Sequence, residues 1–442
     1  MHGDFYPLAD FIDQQLHAGE VCLTKFSGEQ SDFIRFNRAK VRQPSHVEQR
    51  YVELDLIAGQ RHVKGQLSLS GEPQTDQKRV HALIVELRDQ LPHAPEDPYL
   101  LYSTQVHSTE SLGHNHLPST KDVLSEILNA VAGHDFVGLY AAGGIFSGFA
   151  SSLGQRNWHS RYHFNLDWSF YHDKDKAVKS AYAGFNWDSI SFQKKIERGK
   201  AQLDLIRRSP HTIEPGRYRV YLAPAALAEI LKLLSWGGFS LKSQRTKESS
   251  LLRMLGESGQ CLHPHVTLCE NTAEGISPTF QSEGGFIKPD RVTLIEKGIY
   301  KDALVSPSSA KEYNVPTNGA NTEESPASLD LAAGQFPQEK VLTTLDKGIY
   351  INNLWYLNYS DRAACRITGM TRFATFWVEH GEIVAPLNVM RFDETLYHLL
   401  GDKLIALTQE REFIMESDTY EVRSTNTIQL PGALVEELTL TL

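Results

Sequence analysis

The segment Pro224-Ala-Ala-Leu-Ala-Glu-Ile-Leu-Lys-Leu-Leu-Ser-Trp-Gly-Gly238 predicts a buried helix in the middle of the chain. Pro224 suits the first turn of a helix, and the alanines and leucines that follow have high helix propensity. Gly237 and Gly238 are typical of positions just past a helix end. Because this helix is apolar on nearly every side, we expect it to pack inside the protein.

The chain around this helix predicts an α+β fold with two domains. Its 442 residues exceed what one ordinary core holds. Residues 209–216 contain two prolines and a glycine, which favours a boundary there. We therefore expect an N-terminal α/β domain with a mostly antiparallel sheet at residues 1–210. A mostly β C-terminal domain, which contains the buried helix, would occupy residues 211–442.

Alternating apolar and polar residues near the N-terminus predict an antiparallel meander of about four strands. The predicted strands are residues 21–26, 33–42, 49–58 and 61–70.

Further along, the glycine-rich residues 143–148 predict a tight, backbone-permissive segment. It lacks the Lys-Ser/Thr ending of a phosphate-binding loop, which argues against a nucleotide site.

The second half predicts repeated β-hairpins. Three stretches read as a strand, an acidic-x-Gly turn and a second strand, with glycine at the position that needs a positive φ. They are residues 291–300, 342–350 and 376–384.

Composition narrows the classes of protein to which the chain can belong. It is 41% hydrophobic and 22% charged, with a net charge of −10, which is typical of a soluble globular protein and argues against a nucleic-acid partner. The N-terminal sequence shows no signal peptide, and no apolar run is long enough to suggest a membrane span. The four scattered cysteines favour a reducing compartment, so we expect a cytoplasmic protein.

One short stretch carries residue types that bind metals. On an extended strand, Cys261, His263, His265 and Cys269 would share one face, and two thiolates with two imidazoles make a chemically plausible zinc set. The two cysteines would then stand roughly 26 Å apart, so the chain would have to fold back to bring them together. The alternative is a strand with partly buried cysteines and surface histidines, which makes these four residues weak metal candidates.

Three sequence marks together resemble the TldD/PmbA family, and they span nearly the whole chain. The first is residues 215–224 followed by the predicted buried helix. The second is residues 368–372 leading into residues 376–386, and the third is residues 35–43 near the N-terminus.

The resemblance implies an N-terminal α/β domain and a mostly β C-terminal domain. Members of the TldD type are zinc metallopeptidases with a His-Glu-x-x-x-His helix and a late cysteine as third ligand. Members of the TldE type lack that motif and pair with TldD-type subunits. The family is associated with maturation of peptide antibiotics, degradation of small unfolded peptides and control of a gyrase-targeting toxin system.

Carried onto this chain, the motif falls on the buried helix and is absent. The first histidine corresponds to Lys232, the glutamate to Leu233 and the second histidine to Gly237. A lysine is a poor zinc ligand at neutral pH, a leucine is no general base, and a glycine has no side chain. No cysteine follows Cys365, so the third ligand is missing as well. We expect no catalytic residues, no metal and no cofactor at these positions.

Three hypotheses about function remain open at this point. The chain is a non-catalytic, TldE-like subunit that binds peptide substrate and pairs with a TldD-like catalytic subunit. Alternatively, it is an independent hydrolase that uses residues 261–269 or 143–152. In the third hypothesis, the chain pairs with itself and forms a homodimer or larger homo-oligomer that binds peptides.

Overall fold

Two β-sheets organise the protein, one in each half of the sequence. The computed structural model describes residues 1–173, 176–256 and 259–441, and its mixture of helices and mostly antiparallel strands confirms the predicted α+β class. The boundary predicted at residues 210 and 211 falls between the last helix of the first half and the first strand of the second. None of the helices in these described ranges combines the length and apolar character needed to cross a bilayer.

The first half contributes one sheet and the helices that cover it. Its elements are α1 (His2–Gln14), β1 (Val21–Asn37), β2 (Lys40–Ala58), β3 (Arg61–Ser68), α2 (Pro73–Gln90), β4 (Thr109–Ser111), α3 (Thr120–Val131), β5 (Asp135–Ser151), β6 (Arg156–Asp173), β7 (Lys176–Gly184) and α4 (Ser189–Ile206).

The strand order of this sheet is β3-β2-β1-β5-β6, with β4 and β7 both paired to the outer edge of β6. The prediction of four meander strands was wrong, because the predicted strands at residues 21–26, 33–42 and 49–58 belong to only two long strands, and the turn between these two, at residues 38 and 39, falls inside the predicted strand 33–42. Strand β1 runs unbroken through the first predicted turn, and β2 runs through the second. Strand β1 stays extended through residues 27–32 because it pairs continuously with β2 on one side and with β5 on the other.

The glycine-rich residues 143–148 are strand, not a tight turn. They lie inside β5, where β1 pairs with one edge and β6 with the other. Gly143 has φ +150°, and a Cβ added there would overlap the backbone of Gln30 on β1. Glycine is therefore required by close strand approach, which a sequence reading confuses with turn formation.

The second half contributes a larger sheet. Its elements are β8 (Gly216–Leu222), α5 (Pro224–Leu234), α6 (Leu241–Arg245), β9 (Leu268–Glu270), β10 (Val292–Glu296), β11 (Ile299–Tyr300), α7 (Pro307–Tyr313), β12 (Ser328–Leu331), α8 (Val341–Leu345), β13 (Gly348–Ile351), β14 (Trp355–Asp361), β15 (Arg366–Met370), β16 (Thr375–Glu379), β17 (Glu382–Pro386), β18 (Arg391–Thr395), β19 (Leu404–Met415) and β20 (Thr427–Leu440).

Two of the three predicted hairpins are confirmed, as β10 with β11 and β16 with β17. The third prediction, at residues 342–350, was wrong. That stretch forms α8 and then β13, and β13 pairs with β8 and β16 instead of with its own predecessor. The short acidic-x-Gly pattern therefore identifies a chain reversal without fixing what precedes it.

The helix predicted from residues 224–238 is confirmed as α5, and it is buried as expected. Its side chains from Ala226 to Leu234 are almost all inaccessible, with Ala226 and Leu227 at 0% exposure. It packs against β8, β14, β19 and β20 in the largest apolar cluster of the protein. A second apolar cluster combines side chains of α3, α4 and β6 with Tyr221, Phe376 and Leu434 of the other half. The two halves therefore share part of their core.

Substituting Gly143 tests this strand packing. We expect Gly143→Ala to lower the free energy of unfolding by about 3 kcal/mol, because the new methyl group collides with the backbone of β1. Gly184→Ala on β7 is the matched control, since its nearest neighbour would be Phe164 at an ordinary 3.5 Å. Chemical denaturation that shows equal losses for the two variants would contradict the assignment.

A buried histidine predicts how stability changes with pH. His159 on β6 is 3% exposed and donates from Nε2 to the carbonyl oxygen of Ile276 at 2.9 Å. Burial, aided by the charge of Arg161, lowers its pKa to about 4. Between the unfolded value near 6.5 and this value the unfolded chain binds more protons, so stability falls as the pH falls.

We expect the wild type to lose about 2 kcal/mol more stability between pH 7 and pH 4.5 than His159→Gln, which keeps an N–H donor. Urea denaturation at both pH values measures the difference. His81→Gln, which changes an exposed histidine, should keep the wild-type pH dependence. The same pH dependence in His159→Gln and in the wild type would overturn the assignment.

Candidate functional site

A cleft of about 370 Å³ lies between the two halves, beside the first turns of α5. One wall comes from β6, β7 and α4, and the other comes from α5, the end of β19 and the segment after β13. The first wall presents Asp167, Lys179, Ser180, Lys195, Arg198 and Gln202. The second presents Pro224, Ala225, Ala228, Glu229, Lys232, Asn352, Asn353, Glu412, Ile414 and Asp418.

Lys232, on which the resemblance places the first motif histidine, borders this cleft. Lys232 stands in the wall with its side chain 42% exposed, and its Nζ lies 3.1 Å from Glu229 Oε1, one turn earlier on α5. The pair is partly solvated, so it adds little to stability. An ammonium already paired with a carboxylate thus stands where the resemblance would place a metal ligand.

The other two motif positions are committed to packing. Leu233 points into the apolar core with 3% exposure, so a carboxylate there would be desolvated. Gly237 has φ +82°, and a Cβ added to it would stand 2.7 Å from Ser243 Oγ. Core packing of the helix accounts for Leu233, and the backbone conformation just past the helix end accounts for Gly237.

Zinc does not fit this donor set. Lysine, leucine and glycine offer no imidazole and no general base. Among the described residues, no group of three or more His, Cys, Asp or Glu side chains is arranged to hold a metal ion. The side chains at these three positions therefore cannot hold a metal for catalysis.

A second cavity of about 800 Å³ lies on the other side of Lys232. It shares Glu229, Lys232, Ile414 and Glu416 with the cleft, so the two spaces meet along α5 and the end of β19. Its walls are more apolar and include Leu233, Trp236, Pro326, Leu329, Leu357 and Ile428. The two neighbouring spaces are together called the groove, which has one polar and one more apolar part.

Charges in the cleft are largely matched by neighbours. Glu412 on β19 lies 3.1 Å from Lys195 and 3.8 Å from Arg198, both on α4. Burial opposes ionisation of Glu412, but these two cations outweigh it and lower its pKa. Arg198 also donates to the hydroxyl of Tyr350, which links α4 to β13. This network holds the two walls of the cleft together.

Asp167 on β6 behaves differently. Burial raises its pKa, although the nearby charges of Lys179 and Lys232 act in the opposite direction. Its Oδ2 accepts a hydrogen bond from Asn165 Nδ2 at 3.0 Å. The surroundings of Asp167 therefore oppose its ionisation, whereas those of Glu412 favour ionisation.

Two strand edges border the cleft. Strand β7 pairs with β6 on one side, and Lys179 and Ser180 from this strand stand in the wall. Strand β19 pairs with β20, and its end at Ile414 and Met415 stands in the opposite wall. An edge strand offers backbone donors and acceptors to an added strand.

The Cys/His stretch does not form the predicted strand. Only its last residues enter β9, and the chain turns before them. Cys261 is exposed, whereas Cys269 is buried and its thiol points to the carbonyl oxygen of Asp330 at 3.7 Å. His263 and His265 lie beside each other, with ring centroids 4.5 Å apart. The four weak metal candidates thus do not converge.

The groups that line the cleft were missed in the sequence. Lys195, Arg198 and Gln202 share one face of α4 by helical spacing. This polar face is the local sequence pattern that could have indicated one wall of the cleft. Asp167, Lys179 and Glu412 come from separate strands, and their convergence depends on how the two halves pack.

Introducing the missing motif residues tests whether these positions serve packing. We expect Leu233→Glu to cost about 3 kcal/mol in unfolding free energy, because the new carboxylate would replace a buried leucine and lose most of its hydration. Lys232→His, at the half-exposed neighbour, should stay within about 1 kcal/mol of the wild type. Thermal and urea unfolding compare the two variants, and an equally small loss for both would be inconsistent with the packing described.

Comparisons with known proteins agree with this architecture. The profile described as PmbA/TldA metallopeptidase C-terminal domain matches residues 215–442. No curated protein gave a match. Among solved structures, TldE from Thermococcus kodakarensis is 14% identical with a TM-score of 0.77, covering 99% of this chain and 100% of that chain.

Two further solved structures share the fold. A proposed modulator of a DNA gyrase from Thermotoga maritima is 14% identical with a TM-score of 0.74, covering 99% of both chains. A proposed modulator of DNA gyrase from Bacteroides thetaiotaomicron is 16% identical with a TM-score of 0.74, covering 100% of this chain and 98% of that one. Since the matched profile spans more than half of the sequence, the chain belongs to the PmbA/TldD metallopeptidase-related family.

Proposed function

We propose that this chain is a non-catalytic, TldE-like member of its family that binds extended peptides and delivers them to a TldD-like metallopeptidase subunit. One observation carries the proposal. Helix α5 carries Lys232 and Leu233, and Gly237 follows its end, where the resemblance would place the catalytic motif, while an open cleft lies beside the helix. Loss of the metal chemistry without loss of the cleft favours a binding role.

Peptides suit this cleft for two physical reasons. Extended peptides commonly bind by adding a strand to an exposed sheet edge, and β7 and β19 each present an edge at the cleft. The groove also combines a polar part with an apolar part, and its two spaces of about 370 and 800 Å³ are of the size that small ligands and short segments fill.

The charge balance of the cleft favours ligands without a large net charge. Several charged groups of the lining pair directly, and the lining as a whole carries four cationic side chains and five carboxyl groups: Lys179, Lys195, Arg198 and Lys232 against Asp167, Glu229, Glu412, Glu416 and Asp418. Such matching leaves backbone hydrogen bonds and apolar contacts as the main sources of affinity. A binder of that kind accepts many unfolded sequences, which suits a subunit that collects peptides for degradation or maturation.

The proposed partner is a TldD-like subunit that would supply the zinc ligands and the general base that α5 lacks. We propose that the two subunits meet in the cytoplasm. Co-expression with a TldD-type protein from the same genome, followed by gel filtration, tests the pairing. We expect co-elution and peptidase activity that neither chain shows alone. Separate elution, or stoichiometric zinc tightly bound to this chain by itself, would contradict the assignment.

Blocking the cleft tests peptide binding directly. We expect Ser180→Trp to weaken binding of fluorescein-labelled β-casein peptides by about tenfold or more, because an indole on β7 occupies the cleft and its edge. Fluorescence anisotropy measures the dissociation constant. Ser125→Trp places the same side chain on the exposed face of α3 and should bind as the wild type does. Equal affinities for Ser180→Trp and the wild type would exclude this cleft as the peptide site.

A further inference from the structure

An arginine from the second half is buried in the sheet of the first half. Arg423 lies in residues 416–426, the connection between β19 and β20, and its side chain is 3% exposed. Its Nε lies 3.1 Å from Oε1 of Glu29 on β1, whose side chain is 2% exposed. The two residues are 394 positions apart in the sequence. This ion pair therefore fixes a long-range contact between the halves.

Two of the three guanidinium nitrogens of Arg423 have hydrogen-bond acceptors around them, whereas Nη2 has none among the described residues. Its Nε also donates to Ser31 Oγ at 3.0 Å, and its Nη1 donates to Nδ1 and the carbonyl oxygen of His163 at 3.2 and 3.3 Å. Burial and the charge of Arg423 hold the pKa of His163 well below its ordinary value. A neutral imidazole is thus kept as an acceptor beside a permanent cation.

The segment held by Arg423 forms part of the cleft. Ser417 and Asp418 stand in the cleft wall, directly after the end of β19. The segment is closed at its base, where Glu416 accepts hydrogen bonds from Ser424 Oγ and Asn426 Nδ2, both at 2.9 Å. At its tip, Tyr420 is 88% exposed.

Few other contacts tie this tip to the first half. Within the described part of the chain, hydrogen bonds from residues 417–424 to the first sheet come from Arg423 and from the carbonyl oxygen of Glu421, which accepts from Gln49. Gln49 in turn donates to Glu29 Oε2 at 3.0 Å. Glu29 is therefore the common anchor of the whole attachment.

We propose that Arg423 and Glu29 form a latch that holds residues 416–426 in place as a wall of the cleft, and that this latch sets the affinity of the cleft for peptides. The second part rests on the proposed function. Buried ion pairs are poor sources of net stability, because desolvation of both charges offsets their attraction, but they enforce one geometry where an apolar contact would slide. Arg423 and Glu29 act here as positioning residues, through the wall that they hold.

Hydrogen exchange and peptide binding test the latch in the full-length protein. In Arg423→Met and in the milder Glu29→Gln, we expect amides of residues 417–424 to exchange about tenfold faster or more, with little change elsewhere. The same variants should bind fluorescein-labelled β-casein peptides about tenfold more weakly. Arg423→Lys, which keeps the charge, should recover part of the affinity. The double variant should bind no more weakly than Arg423→Met alone, because both changes break one unit.

Arg411→Met is the matched control. Arg411 lies on β19 and pairs with the buried Asp330 at 2.6 Å, inside the second half and outside the cleft lining. Its loss should lower stability but leave both the exchange of residues 417–424 and the peptide affinity near wild-type values. Similar effects of Arg411→Met on exchange and affinity would show general destabilisation and overturn the latch.

The two measurements separate the latch from the proposed function. If peptides bind to the wild type but residues 417–424 exchange no faster in Glu29→Gln, the latch is wrong and the peptide site stands. If exchange accelerates and affinity stays constant, the role in positioning the cleft is wrong. If the wild type binds no peptide, the proposed function is wrong, and so is the effect of the latch on peptide affinity. Faster exchange of residues 417–424 in the variants would then still support the latch as the attachment of this segment.

Discussion

Helix α5 must bury apolar side chains on nearly its whole circumference, and this requirement organises the second half. Residues such as Leu227, Ile230 and Leu231 are almost inaccessible, and they contact strands on several sides. Burial of each such side chain contributes roughly 1.5–3 kcal/mol, which is more than an exposed ion pair typically contributes. The sheet therefore wraps the helix, and the short exposed strip at Glu229 and Lys232 becomes the border of the cleft.

This constraint explains why the residues at the motif positions are compatible with the fold. A metal-binding helix must turn imidazoles and a carboxylate toward an open space, which removes apolar contacts from the core. Leu233 restores such a contact, and Gly237 allows the chain to leave the helix with positive φ against Ser243. The carbonyl oxygen of Leu233 accepts from the Tyr359 hydroxyl at 2.8 Å, and Arg362 donates to that of Trp236. The end of the helix is thereby satisfied by protein groups.

The sequence predicted the features that depend on neighbouring residues. The α+β class, helix α5 and the hairpins of β10–β11 and β16–β17 follow from local periodicity and turn chemistry. The sequence-based predictions were wrong where contacts between residues distant in the sequence decide the local structure. Gly143 is required by the approach of β1, and residues 342–350 form a helix followed by a strand whose partners are β8 and β16. The cleft could not be predicted for the same reason, because its lining comes from separate strands of both halves.

Ion pairs between the halves show how the cleft keeps its shape. The pairs of Glu412 with Lys195 and Arg198, and of Arg423 with Glu29, all join a residue after position 400 to one before position 200. The shared apolar cluster of α4, Tyr221 and Leu434 supplies attraction between the halves but little directional constraint. Charged pairs with several hydrogen bonds supply the direction, since a small displacement leaves a desolvated charge without its partner. The apolar cluster thus brings the two walls together, and the ion pairs fix the separation at which a ligand meets them.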